Sequence, residues 1–215
     1  MRPINVYAEL TPNPNSLKFV ADVMLLEGGT VEYNTPEEAV NCPLARDLFG
    51  FSGVTKVFIT SNFVTINKVS ELDWFDLTNI LREFMRGFLM SGEQLFISSP
   101  FEEGHIPGRN HLQPTAATSA PATTTEAPAK ERKSTPPDPE AEKKIIEVLE
   151  VYVRPAVEGD GGAIHFRSFQ DGVVSVVLKG ACSGCPSSTV TLKSGIENLL
   201  KQMVPGVEEV VAVAE

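Results

Sequence analysis

Hydrophobic positions along the chain fall into two periodic regions separated by a long stretch with almost none. The first region opens with alternation: Val6-Tyr7-Ala8-Glu9-Leu10 and Leu17-Lys18-Phe19-Val20 read as strands. Between them, Thr11-Pro12-Asn13-Pro14-Asn15-Ser16 is dense in turn formers. Pro43-Leu44-Ala45-Arg46-Asp47-Leu48-Phe49 predicts a short helix, capped by Asn41 or Cys42 and ended by Gly50. Residues 54–60 and 63–67 predict a hairpin around Ser61-Asn62. Over residues 73–89 the apolar positions Trp74, Leu77, Ile80, Leu81, Phe84 and Phe88 recur at a helical period.

The second region starts with a helix that Asp138 caps and Pro139 opens; Ile145, Ile146, Leu149, Tyr152 and Val153 form its buried stripe and Arg154-Pro155 ends it. Residues 163–169 and 173–178 make a hairpin about Gln170-Asp171-Gly172, an Asp-Gly turn signal. A helix bearing Leu192, Ile196, Leu199, Leu200 and Met203 follows, then a Pro205-Gly206 stop and a strand over 207–213. The order α-β-β-α-β predicts one sheet covered by two helices. Residues 102–137 consist mainly of Pro, Thr, Ala and Ser, with too little apolar surface to offset the entropy of ordering. Such a tract reads as a flexible tether with a typical span on the order of 30–35 Å. The predicted fold class is therefore α+β (mixed α/β). Two small domains, 1–101 and 138–215, are joined by a disordered linker over 102–137 and move independently.

Composition narrows the functions available. The 215 residues are 42% hydrophobic, enough for two real cores. A formal net charge of -10 argues against a general nucleic-acid binder, which needs basic surplus to displace phosphate counterions. No apolar stretch approaches the roughly 18 residues of a membrane span, and the first residues show no signal or transit peptide. Three cysteines are too few for a disulfide framework, which points to a reducing, cytoplasmic location.

The chemistry concentrates at Gly180-Ala181-Cys182-Ser183-Gly184-Cys185-Pro186-Ser187-Ser188-Thr189. Two cysteines two residues apart stand where a strand should stop and a helix start. Unpaired N–H groups and the positive end of the helix dipole there favour thiolate over thiol. Gly184 allows the backbone to turn, Pro186 suits the first helical position, and Ser187 and Ser188 supply capping or hydrogen-bonding hydroxyls. An iron–sulfur cluster normally takes four thiolates and a structural zinc four N/S donors, whereas this motif offers two. Two copies meeting across a two-fold axis would supply four. Three readings stand at this point: a cluster shared between chains, a thiol–disulfide oxidoreductase, and a zinc-bridged structural module. Ala181 before the first cysteine, and the hairpin feeding the motif, are unlike a thioredoxin frame.

Other residues carry plainer readings. Cys42, before Pro43, is taken as a small buried hydrophobe. His165, on the strand face opposite Ile164 and Phe166, is taken as an exposed or half-buried histidine, not a third ligand. Asp160-Gly161-Gly162 has no P-loop lysine and reads as a tight entry into the strand. Trp74, Phe84 and Phe88 are expected in the core. Glu37-Glu38 and Glu208-Glu209 are solvated charge. Lys179 and Lys193 are either surface or partial neutralisers of thiolate.

Residues 145–213 resemble the C-terminal domain of NifU and Nfu proteins, through Arg154-Pro155, Asp160-Gly161-Gly162, the segment 180–188, Thr191-Leu192-Lys193 and Gly195-Ile196-Glu197. The N-terminal region resembles the Nfu N-terminal domain, through Thr11-Pro12-Asn13-Pro14-Asn15-Ser16-Leu17-Lys18-Phe19, Pro43-Leu44-Ala45-Arg46, Gly53-Val54 and Leu72-Asp73-Trp74. The resemblance implies a non-enzymatic iron–sulfur cluster scaffold or carrier. In such a protein Cys182 and Cys185 are the ligands, a homodimer holds one [4Fe–4S] cluster, a donor supplies it, and apo-proteins receive it. Where family members often carry an acidic residue after Gly-Gly, this chain has Ala163.

Overall fold

The computed structural model describes residues 3–100, 139–183 and 186–213, with residues 186–191 described at the backbone alone. Two domains are present. In the first, strands β1 (Val6–Leu10), β2 (Ser16–Ala21), β3 (Thr30–Tyr33), β4 (Val54–Thr60) and β5 (Phe63–Lys68) form one antiparallel sheet in the order β1-β2-β5-β4-β3. Alternation along these strands sends Leu17, Phe19, Val57, Ile59, Val64 and Ile66 to one face. There they pack with residues of α1 (Pro43–Phe49) and α2 (Trp74–Ser91) into the main core. Asp73 caps α2 by accepting the Phe75 N–H at 2.9 Å, and Gly92, at φ 77°, closes it.

β3 was not expected from the sequence. At four residues, Thr-Val-Glu-Tyr is too short for alternation to stand out, and it forms because β4 presents an open edge to pair with. Trp74 joins the core margin as expected, with its indole N–H donating to the Pro14 carbonyl at 2.9 Å.

The second domain begins with α3 (Pro139–Val148), and here a prediction needs correcting. Arg154-Pro155 does not end the helix. One wide turn over Leu149–Val153, in which the Arg154 N–H bonds five residues back to Leu149, leads directly into α4 (Arg154–Gly159). The wide turn offsets the carbonyls that the Pro155 ring would otherwise strike and accommodates its missing N–H. It also rotates the stripe: Val148 and Val153 are buried, whereas Tyr152 is 56% exposed.

β6 (Gly162–Gln170) and β7 (Val173–Gly180) form the expected hairpin, with Asp171 and Gly172 both at positive φ (50° and 76°), as a type I′ turn requires. α5 (Pro186–Met203) then returns the chain so that β8 (Glu209–Val213) lies parallel to β7, giving the sheet order β6-β7-β8. Ile145, Val148, Leu149, Val174, Val176, Ile196 and Leu200 form this domain's core. Asp138 and the tract 102–137 lie outside the described residues. The N-terminal sheet contacts the start of β6 and the end of β7.

Candidate functional site

Cys182 is positioned by backbone geometry before side chains contribute. β7 ends at Gly180, whose φ of 68° turns the chain, and Ala181 N–H donates to the Gly161 carbonyl at 3.1 Å. The Ser183 N–H and hydroxyl both donate to the Gly180 carbonyl, at 3.2 and 2.9 Å. Cys182 is thus held in a tight turn at the joint between the two strands. It is 4% exposed and packs with the apolar core.

Glycine is needed opposite the sulfur. A Cβ on Gly162 would stand 2.6 Å from the Lys179 carbonyl oxygen and 2.8 Å from Cys182 Sγ. The entry into β6 is tight, as expected, and it also makes the space that Sγ fills. Gly161, at φ 80°, lets its carbonyl face both Ala181 N–H and Thr65. Cys185 and Gly184 lie outside the described residues, as do the side chains of Ser187 and Ser188. α5 opens with Pro186 immediately after Cys185, so its unpaired N–H groups face the motif end of the helix. Among the described residues no three His, Cys, Asp or Glu side chains converge as a metal site, and no helix is long and apolar enough to cross a membrane.

Among the described residues the further cysteine is Cys42, in the core of the first domain. Cys42 is fully buried at the N-cap of α1, and burial pushes its thiol up to about 11, so little thiolate exists near neutrality. Burial, then the neighbouring Cys42, raises the Tyr33 phenol well above its ordinary value, and its hydroxyl donates to Asn41 Oδ1 at 2.9 Å. His165 is half-buried, with Nε2 2.9 Å from Thr30 Oγ1. Lys193 pairs with Glu209 at 3.4 Å.

A cation of the other domain reaches the motif. Lys56 Nζ donates to Ser183 Oγ at 3.1 Å and pairs with Glu32 at 3.3 Å. Glu32 accepts the Gly180 N–H at 2.6 Å, Asn13 Nδ2 donates to the Ala181 carbonyl at 3.1 Å, and Thr65 Oγ1 donates to the Gly161 carbonyl at 2.7 Å. The sequence reading missed all four residues. Alternation does place Lys56, Thr65 and Glu32 on the sheet face away from the helices, but it does not say what that face meets.

Both halves of the chain match one family. Residues 6–92 match the domain described as "Scaffold protein Nfu/NifU N terminal" and residues 145–211 the "NifU-like domain". A human protein named NFU1 iron-sulfur cluster scaffold homolog, mitochondrial, is 36% identical over 98% of this chain and 72% of its own length. The chain belongs to the Nfu/NifU scaffold family. Two Arabidopsis thaliana members, NifU-like proteins 4 and 5, both named mitochondrial, are 35% and 36% identical over 97% of this chain and 66% and 68% of their own. These Nfu relatives overturn the cytoplasmic reading. A low cysteine count reports a reducing compartment, and the mitochondrial interior satisfies that condition as well as the cytosol does.

Proposed function

We propose that this Nfu-family chain is a non-enzymatic scaffold and carrier that receives an iron–sulfur cluster from a donor and delivers it to apo-proteins, in the mitochondrial setting of its relatives. Cys182 and Cys185 are the ligands, and two chains together hold one [4Fe–4S] cluster as cargo. The observation that carries this reading is the turn at Cys182. Gly162, Gly180 and two backbone hydrogen bonds hold Cys182 in a tight turn shortly before α5 in sequence, in a chain whose two domains both match the scaffold family.

The donor count supports sharing. Two sulfurs per chain leave half of a four-thiolate cluster uncoordinated, and a second copy of the same motif completes it. Delivery is then ligand exchange. An incoming thiolate forms a bond to iron as a bond from Cys182 or Cys185 breaks, the departing thiolate takes up a proton, and no electron moves. The helix N-terminus lowers the cost of keeping the two sulfurs deprotonated between these steps.

Anaerobic reconstitution with iron and sulfide, followed by metal and sulfide quantitation and native mass measurement, tests the proposal. Four irons and four sulfides per two chains are expected. Cys182→Ala and Cys185→Ala should each abolish the cluster absorbance, and Cys42→Ala should retain it. A single chain holding a complete cluster without added small thiols would sink the shared arrangement. Zinc without sulfide, or disulfide reduction by the metal-free monomer, would favour a different function altogether.

A further inference from the structure

β2 and β5 are buried along their whole length, although helices cover only one face of the N-terminal sheet. The other face carries a rung of paired residues running across four strands, Lys18, Thr65, Phe58 and Glu32. Each member of the rung meets the second domain beside the Cys182 turn. Lys18 Nζ donates to the Gly159 carbonyl at 3.3 Å, Thr65 to the Gly161 carbonyl, and Glu32 accepts from Gly180. Phe58 lies so close to Gly180 that a Cβ there would stand 2.9 Å from the ring. Val20, Phe58 and Phe63 enclose Ala163 in a small apolar cluster of their own.

The fit is chemical as well as steric. Among the described residues β8 pairs with β7 from Val173 to Val177, and the Gly180 N–H, beyond that stretch, finds its acceptor in the Glu32 carboxylate. Asn13 and Lys56 engage the residues on either side of Cys182, at the Ala181 carbonyl and the Ser183 hydroxyl. Thr65 is fully buried, and its hydroxyl proton is satisfied by a carbonyl of the other domain.

We infer that this sheet face is a docking surface for the protein's own cluster turn, and that it latches the turn in the cluster-free chain and releases it when two chains share a cluster. The release step rests on the proposed function. A second chain's sulfurs must come within bonding distance of a cluster seated at Cys182, whose two neighbours are gripped by Asn13 and Lys56 and whose own surface is almost wholly covered. Latched and shared states therefore compete for one turn, and assembly of the shared cluster exposes Lys18, Lys56, Thr65 and Glu32 together.

Residue-resolved amide hydrogen exchange on the full-length chain tests both halves. In the cluster-free protein, Glu32→Ala should speed exchange at the Gly180 amide about tenfold or more. The Val176 amide, inside β7, serves as the unaffected reference. Thr65→Val, which keeps the strand's shape, should accelerate Gly180 in the same direction. Reconstitution of the wild type with iron and sulfide should reproduce the Glu32→Ala exchange at Gly180. Unchanged Gly180 exchange in both variants overturns the latch, and a cluster-loaded dimer that keeps Gly180 protected overturns the release. A chain that binds no iron and sulfide removes the proposed function and the release step with it, while the cluster-free comparison still decides the latch.

Discussion

Gly162→Ala puts one methyl group where the structure has no room for it. The new Cβ would lie 2.6 Å from the Lys179 carbonyl oxygen, 2.8 Å from Cys182 Sγ and 3.2 Å from Cys182 Cβ. Carbon contacts settle near 3.5–4.0 Å, so two of these are roughly 1 Å too short. Neither neighbour yields cheaply. The carbonyl belongs to the β6–β7 ladder, and Sγ ends a short side chain already enclosed by the core. Overpacking of this kind costs about 1–3 kcal/mol, and a backbone clash belongs at the upper end, ~2–3 kcal/mol. For a domain of this size, 2 kcal/mol lowers the melting temperature by roughly 8–16 °C. Thermal unfolding followed by far-UV circular dichroism measures that loss. Reconstitution of the same variant should show reduced cluster yield below the melting range, because relieving the clash displaces the sulfur. A variant that melts with the wild type and loads cluster equally well would show that the turn does not depend on this glycine.

Further expectations separate the scaffold from its site. Gly195→Ala, at an exposed helical position with nothing within 4 Å of the added carbon, should stabilise the chain by ~0.5–1 kcal/mol in urea unfolding and leave cluster loading intact. Cys42 binds its proton more tightly folded than unfolded, with its thiol raised from 9.0 to about 11. Its contribution to stability is therefore complete below the unfolded value and is lost as pH rises from about 9 to 11. Urea midpoints across that range should fall more steeply for the wild type than for Cys42→Ala, with the raised Tyr33 phenol supplying the slope that persists in the variant; equal slopes would refute the assignment. Limited proteolysis is expected to cut between Gly104 and Pro137 and leave two folded pieces, and uniform resistance across that tract would show the tether to be misread.

Local rules carried most of the architecture. Alternation and an Asp-Gly pair located the β6–β7 hairpin, and a 3.6-residue apolar stripe located α2, because each signal is complete within one run of neighbouring residues. Pro155 shows where such rules stop. A proline is a helix terminator only if the preceding turn keeps ordinary geometry, and the wide turn at Leu149–Val153 absorbs it instead. The CxxC was legible as chemistry from residue type and spacing. The space around Cys182 was not, since Gly162 becomes its neighbour only through strand pairing with Gly180. Ala163, which stands where members of the resembled family often carry an acidic residue, gives no sign in the sequence of what it meets. The structure places it among Val20, Phe58 and Phe63 of the other domain.

A carrier thiol faces opposing demands. It must be deprotonated and reachable while cargo is exchanged, yet an exposed thiolate left idle advances toward sulfenic acid and beyond. A rigid core site would protect the sulfur and prevent exchange, and a free loop would do the reverse. The polar contacts at 180–183 avoid both extremes because they are few and are made to the Gly180 N–H, the Ala181 carbonyl and the Ser183 hydroxyl. Water or a partner chain can replace each of them singly, whereas the apolar core beneath Cys182 need not be disturbed. The charged face of the N-terminal sheet then has a physical reason for its composition. Burying Lys18, Lys56 and Glu32 against another domain stabilises far less than an apolar surface would, since desolvation offsets much of the attraction. Weak docking is what a surface needs if it is to close over a cluster turn and let it go again.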